Sequence, residues 1–175
     1  MSYHKRMLLI VIILSSCVGC DQATKATAQK YLASSQPISY LGDFLRLQYM
    51  ENGGAFLSLG GALPAGLRFW LLVVLTGIAV AGMLVFVIVK RSLLPSFVIA
   101  LSFIIGGGTG NLIDRTFNNG AVIDFMNIGV GGLRTGIFNI ADVAIMIGMV
   151  MLVVTSHLYS VPDIHEGRGA SSRSL

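Results

Sequence analysis

The chain has 175 residues, of which 54% are hydrophobic and 11% charged, with a mean hydropathy of +0.79. A soluble domain usually carries about 25% charged residues, so the composition disfavours a soluble enzyme, a nucleic-acid binder and a disordered tail together. The net charge is +4, but the twelve Lys and Arg are scattered, with no basic stretch to grip phosphates. An integral membrane protein of one domain is expected, with no nucleic-acid partner.

A bilayer core of about 30 Å needs about 20 apolar helical residues to cross it. Residues 69–89 and 92–113 contain no charged residue, nor does 143–162, and 137–143 extends that last run backwards across Asp142. The first apolar run, 7–20, is shorter and ends at Asp21, and it reads in two ways. Lys5 and Arg6 followed by Leu14-Ser15-Ser16-Cys17 resemble a lipoprotein signal that is cut before Cys17. The alternative is an uncleaved helix that continues amphipathically through Asp21, Lys25 and Gln29. Three later spans fit the uncleaved helix better.

The expected fold is therefore an all-α membrane protein with four transmembrane helices, at about 7–24, 69–89, 92–113 and 137–157, in a single domain 1–162. A polar, disordered tail is expected over 163–175. Four spans put both termini on one side, with Lys5, Arg6, Lys90, Arg91, Arg168 and Arg173. The other side holds Lys25, Lys30, Arg46, Arg68, Arg115 and Arg134, an equal number. The Lys90-Arg91 doublet in the tightest loop tips the termini toward the cytoplasm.

Two outer segments remain. Leu45, Leu47 and Tyr49 alternate with Arg46 and Gln48, which predicts a strand, and Asn52-Gly53-Gly54 is a hairpin signal with 55–59 as the return strand. A small extracytoplasmic β-hairpin or sheet over about 37–60 follows. The second segment, 115–136, is rich in Gly and Asn and reads as a loop that carries Asp124.

Polar groups beside the spans need a reason, because an ionisable side chain at mid-bilayer costs at least about 2.5–3.5 kcal/mol. Asn111 and Asp114 share one face near the outer end of the third helix, and Asn139 and Asp142 repeat that spacing at the start of the fourth. Connectivity brings Asp124 to the same membrane surface, so three carboxylates converge. Asp114 beside Arg115 suits a helix-end anchor, and Asp142 in a first turn suits a cap. Asp124, flanked by Ile123 and Phe125, has neither excuse.

Two carboxyls held together share a proton, so one can deprotonate water while the other donates to a leaving amine. That chemistry needs no metal and no cofactor. His4, His157 and His165 fall at the termini or the opposite face, so no zinc cluster or Ser-His-Asp triad is expected. Cys17-Val18-Gly19-Cys20 lies in an apolar helix and suits packing better than redox work. The Gly106–Gly110 stretch has no phosphate-loop Lys, and its small residues suit close helix approach. A proton relay would also use buried acids, but it predicts them through the depth of the membrane rather than at one face.

Five blocks together resemble the lipoprotein signal peptidases, the type II signal peptidases of bacteria. They are Asp21-Gln22-Ala23-Thr24-Lys25, Asn52-Gly53-Gly54-Ala55-Phe56, the stretch from Gly107 through Asn111 to Asp114-Arg115, Val122-Ile123-Asp124-Phe125, and Phe138-Asn139-Ile140-Ala141-Asp142. They occur in the family's order from about Cys20 to Leu152. The resemblance implies an intramembrane aspartic endopeptidase of the inner membrane that cuts prolipoproteins just before the diacylglyceryl-modified Cys, near the outer face. Its catalytic pair would be Asp124 and Asp142. Asn111, Arg115 and Asn139 would line the site and hold substrate, with Asp21, Lys25, Asn52, Gly54 and Asp114 in support. It also implies inhibition by the cyclic peptide globomycin and an uncleaved first helix. The partners implied are the prolipoprotein and membrane lipid, and a bundle with its own site is expected as a monomer. One residue, Ala55, separates Gly54 from Phe56 where many relatives have two, so the pattern leaves the hairpin register around Asn52 open.

Overall fold

The computed structural model describes residues 1–54 and 63–160. Its four long helices are each apolar enough to cross a membrane, and a four-stranded antiparallel sheet sits at one end of the bundle. The return strand expected at 55–59 and the tail expected over 163–175 lie outside the described residues.

Helix α1 spans Tyr3–Leu32. Its buried residues, Arg6, Ile10, Cys17, Asp21, Lys25, Ala28 and Leu32, recur at helical spacing and form one stripe that faces the bundle. Thirty residues at about 1.5 Å each make about 45 Å, more than the bilayer core. The surplus projects from the bundle, and there Ala28 and Leu32 pack on Phe125 of the sheet.

Helix α2 spans Ala65–Val89 and widens to a π pitch over Trp70–Leu75. Helix α3, Pro95–Phe117, starts three residues into the uncharged run because Pro95 has no N–H to give and suits a first turn. Helix α4 is Ile140–Ser160. Helix α3 lies centrally and touches the other three. Val87, Val98, Ile105, Ile10 and Val80 form the apolar core between α1, α2 and α3.

The glycines of α3 act as close-approach points. A Cβ on Gly107 would lie 2.4 Å from Ala141 O of α4, and one on Gly106 would lie 2.7 Å from Cys17 Cβ of α1. Cys17 is buried and unbridged against that glycine.

Strands β1 (Ile38–Tyr40), β2 (Leu45–Asn52), β3 (Val122–Val130) and β4 (Leu133–Arg134) lie in that order across the sheet. The alternating 45–49 segment forms β2, as its pattern predicts, with a register shift between Leu47 and Met50. Segment 115–136, expected as a loop, instead holds β3 and β4. Val122, Ile123, Asp124 and Phe125 are consecutively buried, so β3 lacks the alternation that marks a half-exposed strand. Strand β3 pairs with β2 so that Asp124 stands opposite Met50 and Val122 opposite Asn52. This pairing draws the second and fourth sequence blocks together.

Candidate active site

The start of α4 is fixed by a reciprocal cap. The Asp142 N–H donates to Asn139 Oδ1 at 3.0 Å, and the Asn139 N–H donates to Asp142 Oδ2 at 3.1 Å. This is a capping box built from Asn and Asp, which satisfies two helix-end donors and locks both side chains. The remaining oxygen, Asp142 Oδ1, accepts from Asn111 Nδ2 of α3 at 2.9 Å.

Asn139 also reaches the other carboxyl. Its fully buried amide Nδ2 donates to Asp124 Oδ1 at 2.6 Å and to Asn111 Oδ1 at 3.1 Å. Asn139 therefore touches both Asp124 and Asp142, through its side chain and its backbone respectively. Asp124 Oδ2 accepts from Asn52 Nδ2 at 2.9 Å, while Asn52 Oδ1 accepts the Gly54 N–H at 2.9 Å. That local turn orients the Asn52 amide toward Asp124, while Ala55 and Phe56, where the spacing is short, lie outside the described residues.

Behind this pair lies a second acidic group. Lys25 Nζ, 2% exposed, is 2.8 Å from Asp21 Oδ2 and 2.9 Å from Asp114 Oδ2, and donates to Asn111 Oδ1 at 2.9 Å. Asp21 Oδ1 accepts the Ala141 N–H at 2.9 Å, and Asp114 Oδ2 accepts the Ile123 N–H at 2.9 Å. Asp114 thus pairs with Lys25, not with its neighbour Arg115 as the sequence suggests. Adjacent helical residues point about 100° apart, and the buried face of α3 takes Asp114 inward. Gln22, absent from the expected set, donates to Asp114 Oδ1 at 2.9 Å. Its advance signals are its membership of the first sequence block and its place, three residues before Lys25 and next to the buried Asp21 on α1.

The two groups differ electrostatically. The rear carboxylates share an ammonium, whereas Asp124 and Asp142 make no ion pair with any described residue. Asp124 is 2% exposed, and burial, reinforced by the nearby Asp142 charge, pushes its pKa up to about 6 against the bonds from Asn52 and Asn139. A carboxyl so placed holds and releases a proton near neutrality.

Arg115 Nη2 donates to Gly54 O at 3.0 Å, and its buried Nε has no partner among the described residues. Two mainly apolar clefts meet at Asp142. One, of about 460 Å³, lies among α2, α3 and α4 and includes Leu72, Gly108, Asn111, Arg115 and Met149. The other, of about 490 Å³, runs from Thr135 and Phe138 down α4 to Val150. Among the described residues no three His, Cys, Asp or Glu side chains converge as a metal site.

The chain matches the model of signal peptidase (SPase) II over residues 12–158. It is 38% identical over 162 residues to a lipoprotein signal peptidase of Chlorobium luteolum, covering 87% of this chain and 93% of that one. It is 31% identical over 157 residues to one of Mycobacterium avium, covering 87% and 80%, and 30% identical over 161 residues to one of Geobacillus thermodenitrificans, covering 90% and 95%. Its fold is similar to a bacterial membrane enzyme solved by the in meso method at 2.3 Å, with a TM-score of 0.72 and 22% identity over 98% of this chain and 95% of that one. A second such enzyme, at 1.9 Å, gives 0.69 and 25% over 87% and 92%.

Fold and comparisons together define the class, a multi-pass integral membrane peptidase. The chain belongs to the signal peptidase II family, whose members remove signal peptides from prolipoproteins.

Proposed function

We propose that Asp124 and Asp142 are the catalytic pair of an aspartic endopeptidase that cuts a prolipoprotein just before its diacylglyceryl-modified Cys. The observation that carries this reading is Asn139, which is hydrogen-bonded to both carboxyls at once and so ties Asp124 to Asp142, the residue at which two apolar clefts meet. A signal helix and a lipid both need apolar room beside the scissile bond, and each cleft supplies it.

With one proton on the pair, the ionised carboxylate takes a proton from water as its oxygen bonds to the scissile carbonyl carbon. The protonated carboxyl hydrogen-bonds the carbonyl oxygen. As the tetrahedral species collapses, the C–N bond breaks and a proton passes to the leaving nitrogen of the Cys. Burial of Asp124 and its nearness to Asp142 favour this singly protonated state. Arg115, whose Nε has no partner among the described residues, suits a substrate carbonyl, and Asn111 and Asn139 hold the carboxyls in register. Asp21, Lys25, Asp114, Asn52 and Gly54 act through these residues.

The termini are cytoplasmic in this proposal and the pair lies near the outer face of the inner membrane, as the Lys90-Arg91 doublet in its short loop favours. The enzyme acts as a monomer and is sensitive to globomycin. A cleavage assay in detergent on a diacylglyceryl-modified prolipoprotein tests the whole reading. Wild type should cut only the lipidated substrate and be blocked by globomycin, while Asp124→Asn and Asp142→Asn should be inert. Residual cleavage by either well-folded variant would remove that residue from the chemistry.

A further inference from the structure

Among the described residues, the membrane face opposite the aspartates has an unbalanced charge. Among the described residues every acid, namely Asp21, Asp43, Glu51, Asp114, Asp124 and Asp142, belongs to the site end of the bundle or to its sheet. The opposite end carries Lys5, Arg6, Lys90 and Arg91 and no described acid.

Arg6 makes the imbalance acute. It is 5% exposed and its Nη2 donates to Val87 O and, at 2.9 Å, to Lys90 O, so it caps the last carbonyls of α2. Its buried Nε has no partner, and no carboxylate pairs with it, among the described residues. A buried guanidinium normally has a counter-ion. By neutralising the helix-end carbonyls, Arg6 also removes the partial negative charge that would repel an anion from the loop.

Beside this loop, Gly82, Val85, Phe86 and Val89 line an open groove of about 400 Å³ on α2 that ends at Lys90 and Arg91. The space where a Gly82 side chain would stand is empty of neighbours. The Arg91 guanidinium lies 6.0 Å over the Tyr3 ring, which holds it at the mouth of the groove. An apolar channel within the bilayer that ends in two cations matches an acyl chain joined to a phosphate diester.

We propose that an anionic phospholipid of the leaflet opposite the aspartates binds here, its phosphate on Lys90 and Arg91 above the buried Arg6 charge and one acyl chain along Gly82, Val85, Phe86 and Val89. Native mass spectrometry of the full chain from delipidated detergent tests this, with phosphatidylglycerol, phosphatidylcholine and acyl-free glycerol phosphate offered separately. Wild type should retain one phosphatidylglycerol in preference to phosphatidylcholine and should not retain glycerol phosphate. Lys90→Gln with Arg91→Gln should weaken retention about thirtyfold, the effect expected of two cations near an anionic surface. Gly82→Leu, which fills the channel, should weaken it while leaving both charges in place. Equal retention of the two lipids, or retention unaffected by the double substitution, would overturn the site. So would phosphatidylglycerol retention that appears only in Asp163→Asn with Glu166→Gln, since the chain's own acids would then be the counter-ion.

Discussion

Asn139 and Asp142 cap each other, and the same two residues bring both carboxyls of the site together. Asn139 Oδ1 accepts the Asp142 N–H at 3.0 Å and Asp142 Oδ2 accepts the Asn139 N–H at 3.1 Å, while Asn139 Nδ2 holds Asp124 Oδ1 at 2.6 Å. Capping and site assembly are therefore one arrangement, and the two explanations open to Asp142 in the sequence do not compete.

The first prediction separates the two roles. Asp142→Asn should abolish cleavage and also lose part of the cap, for a destabilisation of about 1 kcal/mol. Asp142→Glu should retain much of the stability but not the activity, because one added methylene moves the carboxyl out of register with Asn111 and Asp124. Thermal unfolding in detergent beside the cleavage assay distinguishes these outcomes. Full activity in Asp142→Glu would show that carboxyl placement there is loose.

Lys25 supports the second prediction. It is the ion-pair partner of both Asp21 and Asp114, all three nearly inaccessible. Lys25→Met leaves two buried carboxylates with no cation, and breaking buried pairs in this way costs about 3–5 kcal/mol. Yield and thermal stability should fall together with activity. Asp114→Asn should show a milder form of the same defect, since Lys25 keeps Asp21 and the Ile123 N–H loses a charged acceptor. A well-folded but wholly inactive Asp114→Asn would move Asp114 into the catalytic set.

Much of this arrangement is legible in the sequence, and the rest is hidden for physical reasons. The spans show because lipid demands long uncharged runs, and β2 shows because its faces alternate. Strand β3 does not show. It is buried from Val122 to Phe125, and a strand covered on both faces has the composition of a short apolar run in any conformation. The convergence of polar residues at one face follows from connectivity, but their division into a Lys25-neutralised group and an unpaired pair does not. That division depends on which way Asp114 turns from the axis of α3, and the adjacent Arg115 suggests the wrong partner. Gln22 stands in the first block but is missed as a site residue for a related reason, because a polar residue beside Asp21 gives no sign that it reaches across to Asp114 of α3.

The third prediction concerns pH. Burial raises Asp124 to about 6, the nearby Asp142 charge adds to this, and the Asn52 and Asn139 hydrogen bonds oppose it. In the proposed mechanism the active form carries one proton on the pair, so kcat/KM should fall as pH rises above about 6 and that proton leaves; the apparent value belongs to the pair. Asn52 donates to Asp124 and so favours its ionised form. Asn52→Ala should therefore move the alkaline limb to higher pH, and relative to its own maximum the variant should keep more activity at alkaline pH than wild type. A limb that moves to lower pH, or not at all, would mean that Asp124 is not the group titrating there.

The last prediction turns on the contact between α3 and α4. A Cβ on Gly107 would lie 2.4 Å from Ala141 O and 2.8 Å from Ile145 Cγ1, and one on Gly148 would lie 2.5 Å from Ala100 O. Backbone cannot yield as a flexible side chain can, so Gly107→Ala should force the two helices apart at a cost of about 1–3 kcal/mol. Ala141 lies next to Asp142 and Gly107 lies one turn before Asn111, so the same displacement opens the 2.9 Å bond between Asn111 Nδ2 and Asp142 Oδ1. Gly148→Ala strains the same helix pair two turns further from the carboxyls. If both variants lose similar stability, Gly107→Ala should still lose far more activity, because only it disturbs the groups that hold Asp142. Equal loss of activity in the two would show that helix packing as a whole, rather than the Asn111 contact, limits the site.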